Sequence, residues 1–198
     1  MIFNQFDKHN VVLASKSPRR QQLIEGMNIP FTTLLKEVDE SFPLGMPVNE
    51  IAGYLSQKKA MAFSPEELPV NFLLITADTI VVVDNEVLNK PKDRDDAIAM
   101  LTTLSGRDHK VITGVSIRDV ETMVTFSEES EVRFLCLTKE EIGYYVDKYH
   151  PFDKAGSYGI QEWIGYVAIE SVKGSFFNVM GLPTHRLYRE LLGFAGKV

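Results

Sequence analysis

The chain has 198 residues, 44% hydrophobic and 24% charged, with a formal net charge of −6. These values fit one globular domain, or two small lobes sharing a core, and exclude extended disorder. They also argue against a protein that wraps nucleic acid, which needs a basic stripe to neutralise phosphates, whereas a small polyanion needs only a local concentration of cations and a metal.

The first predicted element is a strand at Val11-Val12-Leu13-Ala14. It meets Ser15-Lys16-Ser17-Pro18, after which residues 19–27 read as a helix, with Ser17 as N-cap and Pro18 at the first helical position. A second strand is expected over 31–38, and a helix over 47–63. Residues 71–77 read as a strand ending in Asp78. The run 79–83, the turn Asp84-Asn85 and Glu86-Val87-Leu88 then form a hairpin. Residues 93–104 are helical, with Asp93, Asp95 and Asp96 at the positive end. Strands are expected at 110–119 and 123–137. Thr138 and Glu141 form a capping box for a helix reaching about Lys148, and a last helix begins near Leu182-Pro183. Alternating strands and helices followed by clustered strands predict a mixed sheet flanked by helices, in the α/β or α+β range.

The single Cys136 excludes an internal disulfide framework and a cysteine-rich metal site. Within the apolar stretch 132–137 it is expected to be a buried structural thiol. No apolar run reaches the roughly 18 residues of a membrane span. Residues 1–10 lack the charged-then-apolar pattern of a leader. A cytoplasmic location is the default expectation.

The strand–loop–helix opening aims backbone N–H groups and the positive end of a helix dipole at whatever lies beyond it, and Arg19 and Arg20 add planar donors suited to phosphate. A phosphate site and a solvated basic helix start are both compatible with these residues. Asp78 stands between apolar strand segments, where an unpaired carboxylate is costly. It must face solvent, take a cationic partner or hold a metal. Asp39 and Glu40 follow another predicted strand, so carboxylates could converge on one Mg²⁺ or Mn²⁺. The histidines His9, His109, His150 and His185 show no metal spacing, and no Walker or dinucleotide motif is present. Lys59, Lys90 and the turn-rich segment 153–161 carry no ligand signature of their own.

Taken together, several segments resemble the Maf family of nucleoside triphosphate pyrophosphatases. They are Leu13-Ala14-Ser15-Lys16-Ser17-Pro18-Arg19-Arg20, Val38-Asp39-Glu40, Lys59-Ala60, Ala77-Asp78-Thr79-Ile80-Val81, Asn89-Lys90-Pro91, Leu104-Ser105-Gly106, Asp153-Lys154-Ala155-Gly156 through Tyr158-Gly159-Ile160-Gln161, Gly174-Ser175 and Val179-Met180-Gly181-Leu182-Pro183. They occur in family order along nearly the whole chain. The resemblance implies a Maf/ITPase-like fold over residues 1–198, with a long mixed sheet and two lobes with a cleft between them. It implies hydrolysis of a nucleoside triphosphate between the α- and β-phosphates, a divalent metal, and a homodimer, with no nucleic-acid or membrane partner. Carried over by position, Ser15, Arg19, Arg20, Lys59 and Lys90 hold the triphosphate, Asp78 is the catalytic carboxylate, and Glu40 and Asp78 face the metal.

Arg19, Thr79 and Gln161 match the branch resembling dTTP/UTP pyrophosphatases, and an amide at 161 can both donate to and accept from a pyrimidine edge. One departure is Glu162-Trp163, where the family commonly has glycine after the glutamine; it adds charge and bulk beside the expected base site. The alternatives are a pyrophosphatase for modified nucleotides such as 7-methyl-GTP, and a nucleotide-binding regulator of septum formation.

Overall fold

A computed structural model describes residues 6–196. Residues 1–5, part of the segment read for a leader, lie outside the described residues. The elements are β1 (Asn10–Leu13), α1 (Pro18–Gly26), β2 (Thr32–Thr33), α2 (Val48–Met61), β3 (Phe72–Val83), β4 (Glu86–Leu88), α3 (Arg94–Leu104), β5 (Asp108–Arg118), β6 (Met123–Phe134), α4 (Lys139–Tyr149), α5 (Trp163–Ala168), β7 (Ile169–Lys173), α6 (Phe176–Met180) and α7 (Thr184–Ala195). Among the described residues the strands form one seven-stranded sheet in the order β2-β1-β3-β5-β6-β7, with β4 added to β3. β1 runs parallel to β2 and β3, while β4 and β7 run antiparallel to β3 and β6. The sheet is therefore mixed, as expected.

Two compact units divide the chain. The first comprises Met1–Asp78, Thr113–Glu128 and Gly181–Val198; the second comprises Thr79–Ile112 and Glu129–Met180. In the first unit, Val12, Ala60, Phe63, Leu68, Phe72 and Leu74 form a buried apolar cluster, with Ala14, Leu34 and Met123 packed on it. α7 buries Leu187, Leu191 and Phe194, the one-stripe spacing of an amphipathic helix.

α2 lies unusually close to β5. A Cβ on Gly114 would stand 2.1 Å from the Ala52 carbonyl oxygen, so only glycine admits the helix at this depth. Buried hydroxyls fix its height: Ser56 Oγ is 2.9 Å from Ser116 Oγ, and Thr76 Oγ1 donates to the Ser56 carbonyl at 2.7 Å. Arg118 donates to the carbonyls of Ala60 and Phe63 at 3.0 and 2.7 Å, satisfying acceptors that a helix C-terminus leaves open.

In the second unit, the Thr138 capping box forms as predicted. Thr138 Oγ1 accepts from the Glu141 N–H at 3.2 Å, and Glu141 Oε2 accepts from the Thr138 N–H at 2.7 Å. Asp93 caps α3, accepting from the Asp96 N–H at 2.9 Å. The hairpin joining β3 and β4 turns through Asp84 (φ 49°) and Asn85 (φ 69°), both left-handed as a two-residue type I′ turn requires. Its core includes His109, Phe134 and Tyr158, whose rings meet edge to face with centroids 4.9–5.4 Å apart.

Four expectations are corrected. The second strand shrinks from 31–38 to Thr32–Thr33, because only these residues find partners on β1, as Val12↔Thr32 and Leu13↔Thr33. The expected break at Asp78 does not occur. β3 is one twelve-residue strand with every residue buried except Thr79, and Asp78 lies inside it rather than at its end. Cys136 is exposed rather than buried, because β6 stops at Phe134 and the following residues leave the sheet. Finally, α5, β7 and α6 occupy a region for which no element was predicted. These elements span only five or six residues each, too short to establish a periodic signal.

Candidate active site

In the first unit, β1 delivers the chain to a tight loop and Pro18 starts α1. Ser17 holds the N-cap position, but its side chain makes no capping bond. The buried Ser15 hydroxyl instead accepts from the Ser17 N–H at 3.2 Å. Arg19 and Arg20 both lie half-buried in the first turn.

Arg20 has a definite seat. Its Nε donates to the Gly181 carbonyl and its Nη1 to the Ala77 carbonyl, both at 2.8 Å, with Ser15 Oγ 3.4 Å from Nη1. Burial pulls this guanidinium below its ordinary pKa, and the opposing charge of Asp78 is the largest influence holding it up. Arg20 thus ties the loop to the residue preceding Asp78.

Asp78 itself is 8% exposed. A buried carboxylate requires a counter-charge and hydrogen bonds, and α2 supplies them. Lys59 Nζ stands 2.5 Å from Asp78 Oδ1 and 2.7 Å from Glu40 Oε1. One ammonium therefore joins the two carboxylates singled out in the sequence. Glu40 is exposed, in a segment without regular structure. Its neighbour Asp39 points elsewhere, to Ser41 and to Lys58 Nζ at 3.0 Å. The Ser41 hydroxyl, then Lys58, hold the Asp39 carboxyl at a pKa of about 2.

Among the described residues, no group of three or more His, Cys, Asp or Glu converges in the manner of an all-protein metal cage. Glu40 and Asp78 nevertheless present two hard oxygen donors to one cation. Mg²⁺ commonly takes one or two carboxylates when phosphates and water complete its shell, so the donor set fits such an ion.

The remaining predicted residues belong to the second unit. Thr79 follows Asp78 in β3 and is half-buried, and Lys90 is exposed beyond β4. The adjacent Asn89 carbonyl accepts from the Gly156 N–H at 3.2 Å. Gly156 has φ 67°, and a Cβ there would strike the Val81 side chain at 2.9 Å, so the glycine is required twice over. Gln161 is half-buried, and its Oε1 is buried with no hydrogen-bond partner among the described residues.

Around Gln161 lie residues to which sequence reasoning assigned no role. The Glu162 N–H donates to the Gly159 carbonyl at 3.0 Å, closing a turn over 159–162. The Gly159 N–H donates to the Tyr145 hydroxyl at 3.0 Å, and that hydroxyl donates to Glu162 Oε2. Buried Lys154 contacts Glu162 Oε1 at 3.1 Å and Asp153 Oδ1 at 2.8 Å. The added charge at 162 is thus paired internally, while the added bulk of Trp163 packs edge-on against Tyr144 at 5.0 Å. Tyr145 could have been suspected from its place on α4, but nothing local links it to a residue seventeen positions on.

The mixed sheet, the arginine-bearing loop and the Asp78–Lys59–Glu40 cluster define an α/β protein equipped to meet a polyanion with cations and carboxylates. The chain belongs to the Maf family: the model for Maf-like proteins matches residues 10–194. A Bacteroides thetaiotaomicron protein named dTTP/UTP pyrophosphatase is 48% identical over 191 residues, covering 96% of this chain and 98% of that one. Proteins of the same name from Porphyromonas gingivalis and Parabacteroides distasonis are 49% and 50% identical. Each alignment covers 98% of this chain, with 98% and 100% of the relative. Among solved structures, Staphylococcus aureus Ham1 is similar at 15% identity and a TM-score of 0.49, covering 91% of this chain and 99% of that one.

Proposed function

We propose that this chain hydrolyses nucleoside triphosphates, dTTP and UTP foremost, at the bond between the α- and β-phosphates, releasing the nucleoside monophosphate and pyrophosphate. The observation that carries the reading is the Asp78 carboxylate held inside β3 by a lysine that also reaches Glu40. Kinship with proteins named dTTP/UTP pyrophosphatase across nearly the whole chain supports it.

The α-phosphorus is shielded by negative oxygens, and negative charge grows on the departing pyrophosphate, so the reaction needs cations placed in advance. Ser15 donates through its hydroxyl, and Arg19, Arg20, Lys59 and Lys90 supply positive charge to the triphosphate. Asp78 accepts the proton of the attacking water. Lys59 shifts from carboxylate to phosphate oxygens when substrate enters, leaving Glu40 and Asp78 to face a divalent ion, Mg²⁺ or Mn²⁺. When bound, that ion neutralises charge on the phosphates. Thr79 and Gln161, with Arg19, select the base. The proposed setting is the cytoplasm and the proposed assembly a homodimer; among the described residues no helix is long and apolar enough to cross a membrane.

The test is a panel of triphosphates assayed for pyrophosphate release, with Mg²⁺, with Mn²⁺ and with chelator. Release from dTTP and UTP that chelator abolishes is expected. Release only from a modified nucleotide such as 7-methyl-GTP, or binding without turnover, would overturn the reading.

A further inference from the structure

We infer that Thr76 is a positioning residue for the Asp78–Lys59 pair: its hydroxyl, bound to the Ser56 carbonyl, sets the register of α2 on β3 in which the Lys59 ammonium meets the Asp78 carboxylate. The inference rests on the pyrophosphatase reading above and deepens it by assigning the contact that places the lysine.

Thr76 and Asp78 stand two residues apart on β3, and alternation along a strand puts them on one face. Ser56 and Lys59 stand three apart on α2, which puts them on one side of the helix. Thr76 Oγ1 donates to the Ser56 carbonyl at 2.7 Å, and Lys59 Nζ lies 2.5 Å from Asp78 Oδ1. The two contacts are therefore successive rungs between the same strand and the same helix. The first rung is stiff. Thr76 is fully buried, its β-branched side chain has few rotamers, and its acceptor is a main-chain atom. The second ends on a flexible four-carbon stem whose other acceptor, Glu40, lies in an exposed segment without regular structure. The stiff contact thus fixes where the flexible one can form.

The rest of the hydroxyl cluster supports the same register from the other side. Ser56 Oγ donates to the Gly53 carbonyl at 2.8 Å, which uses its only proton. Ser116 must then donate to Ser56 at 2.9 Å, and Thr125 to Ser116 at 2.8 Å. The chain runs one way and ends on the backbone of α2, one turn before Lys59. Apolar packing is non-directional and would let a helix slide along a sheet, whereas these bonds fix its place along the strands. Within this cluster only Thr76 shares a strand with Asp78, so it alone ties the height of Lys59 to the height of the carboxylate.

The experiment compares the wild type with Thr76→Val, which keeps shape and branching but removes the hydroxyl, and Thr76→Ser, which keeps the hydroxyl but removes a buried methyl. Each is measured for kcat and KM with UTP, for thermal midpoint, and for acetylation of Lys59 by acetic anhydride, read by mass spectrometry. Lys58 is the internal standard: it lies on the same helix but pairs with Asp39. In Thr76→Val, kcat should fall about tenfold with KM within about twofold, because a displaced cation is missed most where charge grows in the transition state. Labelling of Lys59 relative to Lys58 should rise several-fold. Thr76→Ser should restore wild-type kcat and labelling even where its thermal midpoint is the lower of the two. A merely structural role predicts that kcat follows the thermal midpoint in both variants and that the two lysines gain reactivity alike. That result, or unchanged kcat or Lys59 labelling in Thr76→Val, overturns the inference. The labelling needs no turnover, so a wild type that releases no pyrophosphate overturns the pyrophosphatase reading while the labelling still decides whether Thr76 places Lys59.

Discussion

Lys59 Nζ lies 2.5 Å from Asp78 Oδ1, so the second helix reaches across to the middle of the longest apolar strand and neutralises the one carboxylate inside it. Asp78→Asn keeps the side chain's volume but removes the charge and the proton acceptor. Pyrophosphate release should fall by at least a hundredfold, in the range general-base loss produces, while the circular dichroism spectrum is retained. Residual activity within about tenfold of wild type would remove Asp78 from the proton-accepting role.

Arg20 should act on stability as well as on substrate. Its two main-chain contacts fix the loop against Ala77 and Gly181, and hydrogen bonds to a charged group contribute about 1.5–3 kcal/mol each. Arg20→Ala should destabilise the chain by about 3 kcal/mol in urea denaturation. Lysine cannot reproduce the planar fork, so Arg20→Lys should recover less than half of that loss. Arg19→Ala should raise KM; an unchanged KM and rate would argue against the loop as the phosphate grip.

Gly114 sets the depth of the helix that carries Lys59. A methyl group at this position meets the Ala52 carbonyl oxygen at 2.1 Å and the Gly53 nitrogen at 2.3 Å, both backbone atoms that cannot rotate aside. Gly114→Ala should cost about 3 kcal/mol through overpacking and should also reduce turnover by displacing Lys59. Differential scanning calorimetry and a rate assay on the same preparation check both, and a Tm within a degree of wild type would contradict the close approach.

His109 should make stability depend on pH. It is 2% exposed, and burial pushes its pKa from 6.5 down to about 4. Between those values the unfolded chain binds a proton that the folded chain does not. The stability tied to this group is therefore complete above about pH 6.5 and is lost as the pH falls toward 4, a total of about 3 kcal/mol. The neighbouring Tyr158 hydroxyl, 2.7 Å from Nε2, has its own pKa raised by burial and stays neutral throughout. Replacing His109 with Phe should flatten the decline in urea midpoint between pH 7 and pH 5. An equally steep decline in the variant would place the linkage elsewhere.

Much of this molecule was legible along the chain because its signals are local. Pro18 starts α1, Thr138 and Glu141 cap α4, Asp93 caps α3, and Asp84-Asn85 turns the hairpin, each through chemistry within four residues. The resemblance also pointed to Asp78, Glu40 and Lys59, which meet on one ammonium. Tertiary structure decided what depends on partners far away in sequence. A carboxylate could stand inside β3 rather than end it, because Lys59 and Arg20 arrive from two earlier helices, a compensation that no window around Asp78 contains. The segment 31–38 paired over only two residues, since pairing is set by the neighbour's register and not by propensity. The loop at Ser15–Arg20 read in sequence as either a phosphate site or a solvated basic helix start. In the fold, Ser15 turns back on its own loop and Arg20 forks onto two carbonyls, because a buried guanidinium must satisfy its donors at once, wherever acceptors lie.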